Sequence, residues 1–182
     1  EATEKRGLLN YRTTPDCMPH LLDNKNVKML TSHKVFSEAE LKSRCEIMLD
    51  NYCKTVLIEA NTMIDMAKTE IAPAISAYVL ELANTASTKK AVDESISCGY
   101  ETELLKKLSG FEEQISIYAE ELEEAVMNLQ DIEDIETKAY GIRDRVLNKM
   151  SELRVVCDEA EKVTAKKYWP FPTYGELLFG VR

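Results

Sequence analysis

The sequence predicts an all-α fold: an antiparallel bundle of about three long, coiled-coil-like helices, with an irregular N-terminal segment and an extended aromatic C-terminal tail. Three observations carry that prediction. Glycine and proline are scarce, six and five in 182 residues, and Pro15, Pro19, Pro170 and Pro172 lie near the ends. The stretch between is rich in Glu, Leu, Ala, Lys and Met, which lose least on entering a helix. Apolar residues there recur at steps of three and four, and no run has the period of two of a half-buried strand.

From Glu1 to Lys34 the pattern is irregular. Pro15 pushes Thr14 away from helical angles, so Thr13–Pro15 reads as an extended or turn segment. A short helix is expected from about Asn24 to His33, with Val27 and Leu30 on one face. Ser37 and Glu40 then form a capping-box pair, and Phe36 and Leu41 can staple the same helix start. The stripe that follows runs Leu41, Cys45, Met48, Tyr52, Val56, Ala60, Met63, Ala67, Ile71, Ile75, Tyr78, Leu82 and Ala86. Pro73 falls inside it, removes a donor and crowds the Thr69 carbonyl, at a cost of about 3 kcal/mol. A kink is expected there, because the stripe keeps its phase on both sides.

Thr88–Gly99 breaks the periodicity and reads as a loop. A second stripe runs Leu104, Leu108, Phe111, Ile115, Tyr118, Leu122, Val126, Leu129 and Ile132. A third runs Ile135, Ala139, Ile142, Val146, Met150, Leu153, Val156, Ala160 and Val163. Glu133 and Asp134 separate them, which predicts a tight helical hairpin, with one uninterrupted helix as the alternative. Gly141 costs up to about 1 kcal/mol in a helix and marks a candidate close approach. One-sided stripes of this kind cannot hold a helix alone in water, so they are expected to meet.

The last fifteen residues differ in kind. Tyr168, Trp169, Phe171, Tyr174 and Phe179 are five of the thirteen aromatics, and Pro170 and Pro172 favour extended backbone between them. So much apolar surface needs a docking place. Trp169, Phe171, Tyr174 and Phe179 are therefore the candidate interface residues.

Composition narrows the function. Thirty-two acids against twenty-three bases give a net charge of −9, which disfavours general nucleic-acid binding. The longest uncharged stretch, Ile71–Leu80, has ten residues, about half of a membrane span. Five cysteines without CxxC spacing point to reduced thiols and a cytoplasmic setting. The chain opens on Glu1 rather than a methionine and is expected to be a piece of something longer.

Catalytic chemistry is hard to place. A di-iron bundle needs inward Glu-x-x-His pairs, yet the two histidines, His20 and His33, precede the bundle and have no glutamate three residues before them. Cys45 and Cys53 lie on or beside the apolar stripe, where packing is the simpler role. No GxxxxGK[ST] or GxGxxG segment cradles a phosphate. Between Glu101 and Glu136 twelve carboxylates face Lys106 and Lys107, which reads as a solvated helix face, with docking of a basic partner as the alternative. No catalytic, cofactor-binding or metal-ligating residue is assigned.

Two segments add a resemblance. The opening EATEKRGLLNYRTTPDCMP and the ending YWPFPTYGELLFG resemble the C-terminal part of type III glutamine synthetases. HKVFSEAELKSR, NYCKTVLIEANTMIDMAK and ELLKKLSG are similar to that family too. The chain departs from it at Cys17-Met18, where Ala-Leu is usual, and at Cys45 and Cys53. The resemblance implies a parent enzyme that joins ammonia to glutamate with ATP and Mg²⁺ or Mn²⁺, built as stacked hexameric rings. It implies that the metal and phosphate ligands lie upstream, so this chain alone should be inactive. Residues 1–67 would close the catalytic domain, 68–165 would form a type III-specific helical appendage, and 166–182 a docking tail. Its partners would be the rest of the synthetase chain and neighbouring subunits. An independent acidic coiled-coil adapter for a helical or basic partner is the alternative from another class, and binding of a regulatory protein by the appendage a third.

Overall fold

The computed structural model describes residues 2–172 and 174–180. Among them every regular element is helical: α1 (Ala2–Arg6), α2 (Thr14–Cys17), α3 (Asn24–Ser32), α4 (Glu38–Met66), α5 (Ala72–Val92), α6 (Gly99–Gln130), α7 (Ile135–Gly141), α8 (Leu147–Glu161) and α9 (Tyr174–Phe179). A 3₁₀ turn, Met18–Leu22, follows α2. Two π turns, Ala67–Ile71 and Ile142–Val146, link α4 to α5 and α7 to α8 without a break.

The N-terminal segment is more helical than its sequence implied. Thr14 is not extended; Thr13 is, at φ −130° and ψ 161°, and Thr14 opens α2. Pro15 occupies the first turn, where a missing N–H costs nothing because that donor would be unpaired anyway. The Thr13 hydroxyl donates to Asp16 at 2.7 Å and secures the turn. α3 falls where expected, and Val27 and Leu30 are half-buried.

α4 begins at the capping box. The Ser37 amide donates to Glu40 Oε2 at 2.7 Å and the Glu40 amide to Ser37 Oγ at 3.3 Å. The Ser37 amide and the Ser37 hydroxyl, which both donate to the Glu40 carboxylate, hold that carboxyl below its ordinary value. Phe36 is capped by the Arg44 guanidinium, 4.4 Å from its ring centre. Leu41 is fully buried.

The buried stripe corrects the expected register. Leu49, Cys53 and Ile64 are buried, whereas Met48 is exposed and Tyr52 and Met63 are half-buried. The inward positions are Leu41, Cys45, Leu49, Cys53, Val56, Ala60, Ile64, Ala67, Ile71, Ile75, Tyr78 and Leu82. From Cys45 onward the steps are four, four and three, an eleven-residue period of about 3.67 residues per turn. A strict heptad drifts off one face of an α-helix faster than this longer period does. On α6, Ala119 takes the inward place assigned to Tyr118.

Pro73 does not break the helix, which continues from Glu38 to Val92 over 55 residues. The π turn directly before it is the accommodation. Ala72 donates to the Ala67 carbonyl five residues back, so the backbone is widened where the proline ring needs room. The predicted loop is also shorter than expected. α5 runs past Thr88 to Val92, and an Asx turn at Asp93, whose carboxylate accepts from the Ser95 amide at 2.8 Å, starts the turn toward α6.

The choice between a hairpin and one helix after Gln130 is settled by capping. Asp134 accepts from the Thr137 amide at 2.8 Å and starts α7. Lys138 Nζ bonds the Gln130 carbonyl at 3.0 Å and closes the end of α6.

The chain divides into two compact units. Residues 1–59 and 125–148 form the first, and 60–124 and 149–182 the second. In the first, α2 packs on α7, and Arg143 joins Asp16 to Asp144 while its guanidinium lies 4.8 Å from the Tyr140 ring centre. Its core includes Pro15, Leu41, Leu49, Leu129, Ile142 and Val146. In the second, Ile75, Leu108, Ile115, Leu122 and Leu153 are buried. Lys149 bridges Glu121 and Glu152 at 2.8 Å each, Lys68 pairs with Glu123, and Lys89 pairs with the buried Glu101. Buried hydrophobes set each core, and the ion pairs lie at the edges, where each contributes little.

Glycines give a paired test. A Cβ at Gly141 would lie 2.6 Å from Leu129 Cδ2, and Leu129 is itself buried, so the close approach expected of Gly141 is present. At Gly110 a Cβ meets nothing within 4 Å. Gly110→Ala should stabilise the protein by about 0.5–1 kcal/mol, while Gly141→Ala should destabilise it as about 1–3 kcal/mol of overpacking outweighs the same helical gain. Urea unfolding of both variants checks this; equal effects would contradict it. Leu122→Ala should cost about 2–5 kcal/mol, and a change below about 0.5 kcal/mol would remove Leu122 from the core.

Candidate docking site on the aromatic tail

Every residue of the tail site belongs to the second unit. The Thr164 hydroxyl bonds back to the Ala160 carbonyl at 2.8 Å where α8 ends. The chain then turns, with the Tyr168 amide donating to the Ala165 carbonyl at 2.8 Å. The tail is therefore not extended throughout. A turn precedes Trp169, and α9 follows Pro172.

The base of the tail is fixed to α5. Tyr168 stacks on Tyr78 with ring centres 5.2 Å apart and donates its hydroxyl to Glu81. Lys167 bonds both oxygens of Glu81, at 2.8 and 2.6 Å. Lys167 and Tyr168 together hold the Glu81 carboxyl below its ordinary value. Conversely, the Glu81 carboxylate raises the Tyr168 hydroxyl. Lys166 reaches Glu176 at 2.5 Å and ties the turn to α9.

Three of the candidate interface residues share one groove on the tail and differ in exposure. Trp169 and Phe171 are half-buried beside Pro170 and Pro172, and both line, together with Phe179, one surface groove of about 770 Å³. Phe179 is 81% exposed, and Leu177 and Leu178 beside it are also exposed. Tyr174 opens α9, but its side chain lies outside the described residues. Sequence reasoning found the aromatics and missed their anchor. Glu81 and Lys167 are ordinary surface residues by composition, and nothing local pairs residues 86 positions apart.

Among the described residues no three His, Cys, Asp or Glu side chains converge on a metal position. Burial raises the Cys45 and Cys53 thiols, and it pushes Cys157 up to about 11. Cys45 donates to the Met18 carbonyl at 3.4 Å and Cys98 to that of Ala86 at 3.5 Å, as packed structural thiols do. No helix among the described residues is long and apolar enough to cross a membrane.

Comparison with known proteins places this helical chain. Residues 1–90 match the model of the glutamine synthetase C-terminal domain. The chain belongs to that family. It is 35% identical to a glutamine synthetase of Butyrivibrio fibrisolvens, over 100% of this chain and 26% of the relative. It is 28% identical to the type-3 glutamine synthetase of Dictyostelium discoideum, over 98% of this chain and 25% of that protein. A glutamine synthetase of Bacteroides fragilis (strain YCH46) is 27% identical, over 96% and 25%. The chain thus spans about a quarter of the length of the curated relatives it matches, and the match falls in their C-terminal quarter. The coiled-coil adapter alternative gains no support from them.

The anchor predicts a pH response. Because the folded-state value of Glu81 is lowered, its contribution is present above the ordinary carboxylate value of 4.5 and is lost as pH falls through the lower folded value. Trp169 emission should therefore move toward that of solvated tryptophan at acid pH. In Glu81→Gln the shifted emission should already be present at pH 7; an unchanged pH profile in that variant would show that Glu81 does not hold the tail.

Proposed function

We propose that this chain is a non-catalytic C-terminal helical region of a type III glutamine synthetase, acting in architecture and subunit contact. The parent enzyme would join ammonia to glutamate at the expense of ATP, giving glutamine, ADP and phosphate, with Mg²⁺ or Mn²⁺ bound elsewhere in the chain. The residues described here do not fit those groups: no acidic cluster converges on a metal position, and no glycine-rich loop is present for a nucleotide. No catalytic step is assigned to this chain.

The observation that carries the reading is the full-length match to the C-terminal quarter of three glutamine synthetases by a chain whose buried groups are almost all hydrophobic. Charge supports a division of labour. The first unit carries fourteen acids against twelve bases and exposes Leu9, Met29, Val35, Ile47 and Ile58. The second carries eighteen acids against eleven bases. Near-neutral surface suits contact with the rest of the chain, whereas on the acidic second unit the exposed Leu177, Leu178 and Phe179 of the tail are the apolar surface suited to contact. In this reading residues 1–67 close the catalytic domain, 68–165 form the appendage as an antiparallel bundle, and 166–182 dock on the enzyme body or a neighbouring subunit of a homo-oligomer in the cytoplasm.

Two outcomes test it. The purified 182-residue chain should form no glutamine from glutamate, ammonia, ATP and Mg²⁺; measurable turnover would overturn the non-catalytic assignment. Trp169 emission should shift to the blue when this region is part of a complete synthetase, because Trp169 is only half-covered by its own tail. Identical spectra would mean that the tail serves its own unit only.

A further inference from the structure

We propose that residues 13–32 of the first unit form a releasable strap, which lifts off its bed on α4 and α7 about a hinge at Lys34 and uncovers Cys45 while the core beneath stays folded. The proposal goes beyond the subunit-contact reading and uses nothing from it.

The first observation is how little of the strap reaches the core. It holds α2, the 3₁₀ turn and α3, and Pro15 is its single buried residue. Yet the segment is well ordered within itself. The Thr13 hydroxyl donates to Asp16, and His20 Nδ1 lies 3.1 Å from the Asp23 carboxylate. Asn26 donates twice, its side chain to the His20 carbonyl at 2.7 Å and its amide to the Asp23 carbonyl at 2.8 Å. A segment that satisfies its own polar groups and buries one ring can open as a unit, well below the cost of global unfolding.

The second observation is what crosses its boundary. Apart from the turn at Lys34, two polar contacts among the described residues join the strap to the rest of the unit. Asp16 pairs with Arg143, and Cys45 Sγ donates to the Met18 carbonyl at 3.4 Å. Arg143 does not depend on the strap for its place. It bonds both oxygens of Asp144, at 2.7 and 2.9 Å, and its guanidinium lies 4.8 Å from the Tyr140 ring centre. When Asp16 leaves, Arg143 keeps those partners, so the pair adds little to the closed state. A thiol is a weak donor as well. The latch is therefore the Pro15 ring and one ion pair.

The hinge is set by backbone geometry. Lys34 has a φ of +54°, the one positive value at a non-glycine position among the described residues, and lies between α3 and α4. A lysine is strained there, so turning this residue to ordinary angles relieves energy that the closed state stores. Residues 32–35 are all exposed, and the turn can swing without tearing buried contacts.

Cys45 and Cys53 report the opening. Both lie on the inward stripe of α4, 4% and 2% exposed, and burial raises both thiols. Their surroundings differ. Cys45 meets the Met18 carbonyl of the strap and feels the charge of Cys17, whereas Asp50 and Lys138 act on Cys53. Lifting the strap should expose the first thiol and leave the second closed.

Labelling of the native 182-residue chain with N-ethylmaleimide tests this, read by peptide mass spectrometry in a Cys17→Ser background so that modification at position 17 cannot itself pry the strap open. With each rate divided by that of the same thiol in the urea-unfolded chain, Cys45 should react at least about tenfold faster than Cys53. Asp16→Asn keeps an acceptor for the Thr13 hydroxyl and removes the charge facing Arg143. It should speed Cys45 about two- to fivefold and leave Cys53 unchanged. Equal normalised rates for the two thiols, or an Asp16→Asn variant that does not speed Cys45 selectively, would overturn the strap. Neither outcome bears on turnover, which alone decides the non-catalytic assignment.

Discussion

A helix of 55 residues has no stability of its own in water, and everything else in this chain follows from the need to cover one stripe along it. Propensity adds only tenths of a kcal/mol per residue, whereas burying a Leu or Ile side chain contributes about 1.5–3 kcal/mol. The stripe from Leu41 to Leu82 must therefore stay on one side over some eleven turns. An eleven-residue period keeps these positions near one face, and the π turn lets the backbone pass Pro73 while Ile71 and Ile75 remain inward. The second π turn, Ile142–Val146, does the same for Ile142 and Val146. Local irregularity is tolerated because the stripe is not.

That constraint also separates what the sequence reveals from what it hides. The all-helical class, the Ser37–Glu40 cap, the break before Ile135 and the crowding at Gly141 all rest on interactions within a few residues or on composition, and all are present. The register of α4 is not legible in the same way. Met48 and Leu49 are adjacent and equally apolar, so a step of three and a step of four from Cys45 choose different neighbours, and only packing decides. The Thr13–Pro15 segment misleads for another reason. A proline in the first turn and a proline in an extended segment put the same demand on its φ angle.

The tail shows the same division. Its aromatics stand out by composition, but what holds it is Glu81, the one charged residue between Glu70 and Lys89, and nothing near it in sequence says what that carboxylate meets. A carboxylate that accepts from both a lysine and a tyrosine orders the tail base, and the tail end, with Leu177 to Phe179 exposed, keeps its apolar surface available. Family membership adds the identity of the larger chain it would serve.

Amide hydrogen exchange on the 182-residue chain tests the central claim most directly. If one buried stripe stabilises the long helix on both sides of Pro73, amides around Leu49–Val56 and around Ile75–Leu82 should both be strongly protected, with faster exchange confined to the π turn at Ala67–Ile71. Exchange of the whole Ala72–Val92 segment at the rate of an unstructured peptide would contradict it, because α5 would then have no core of its own to stand on.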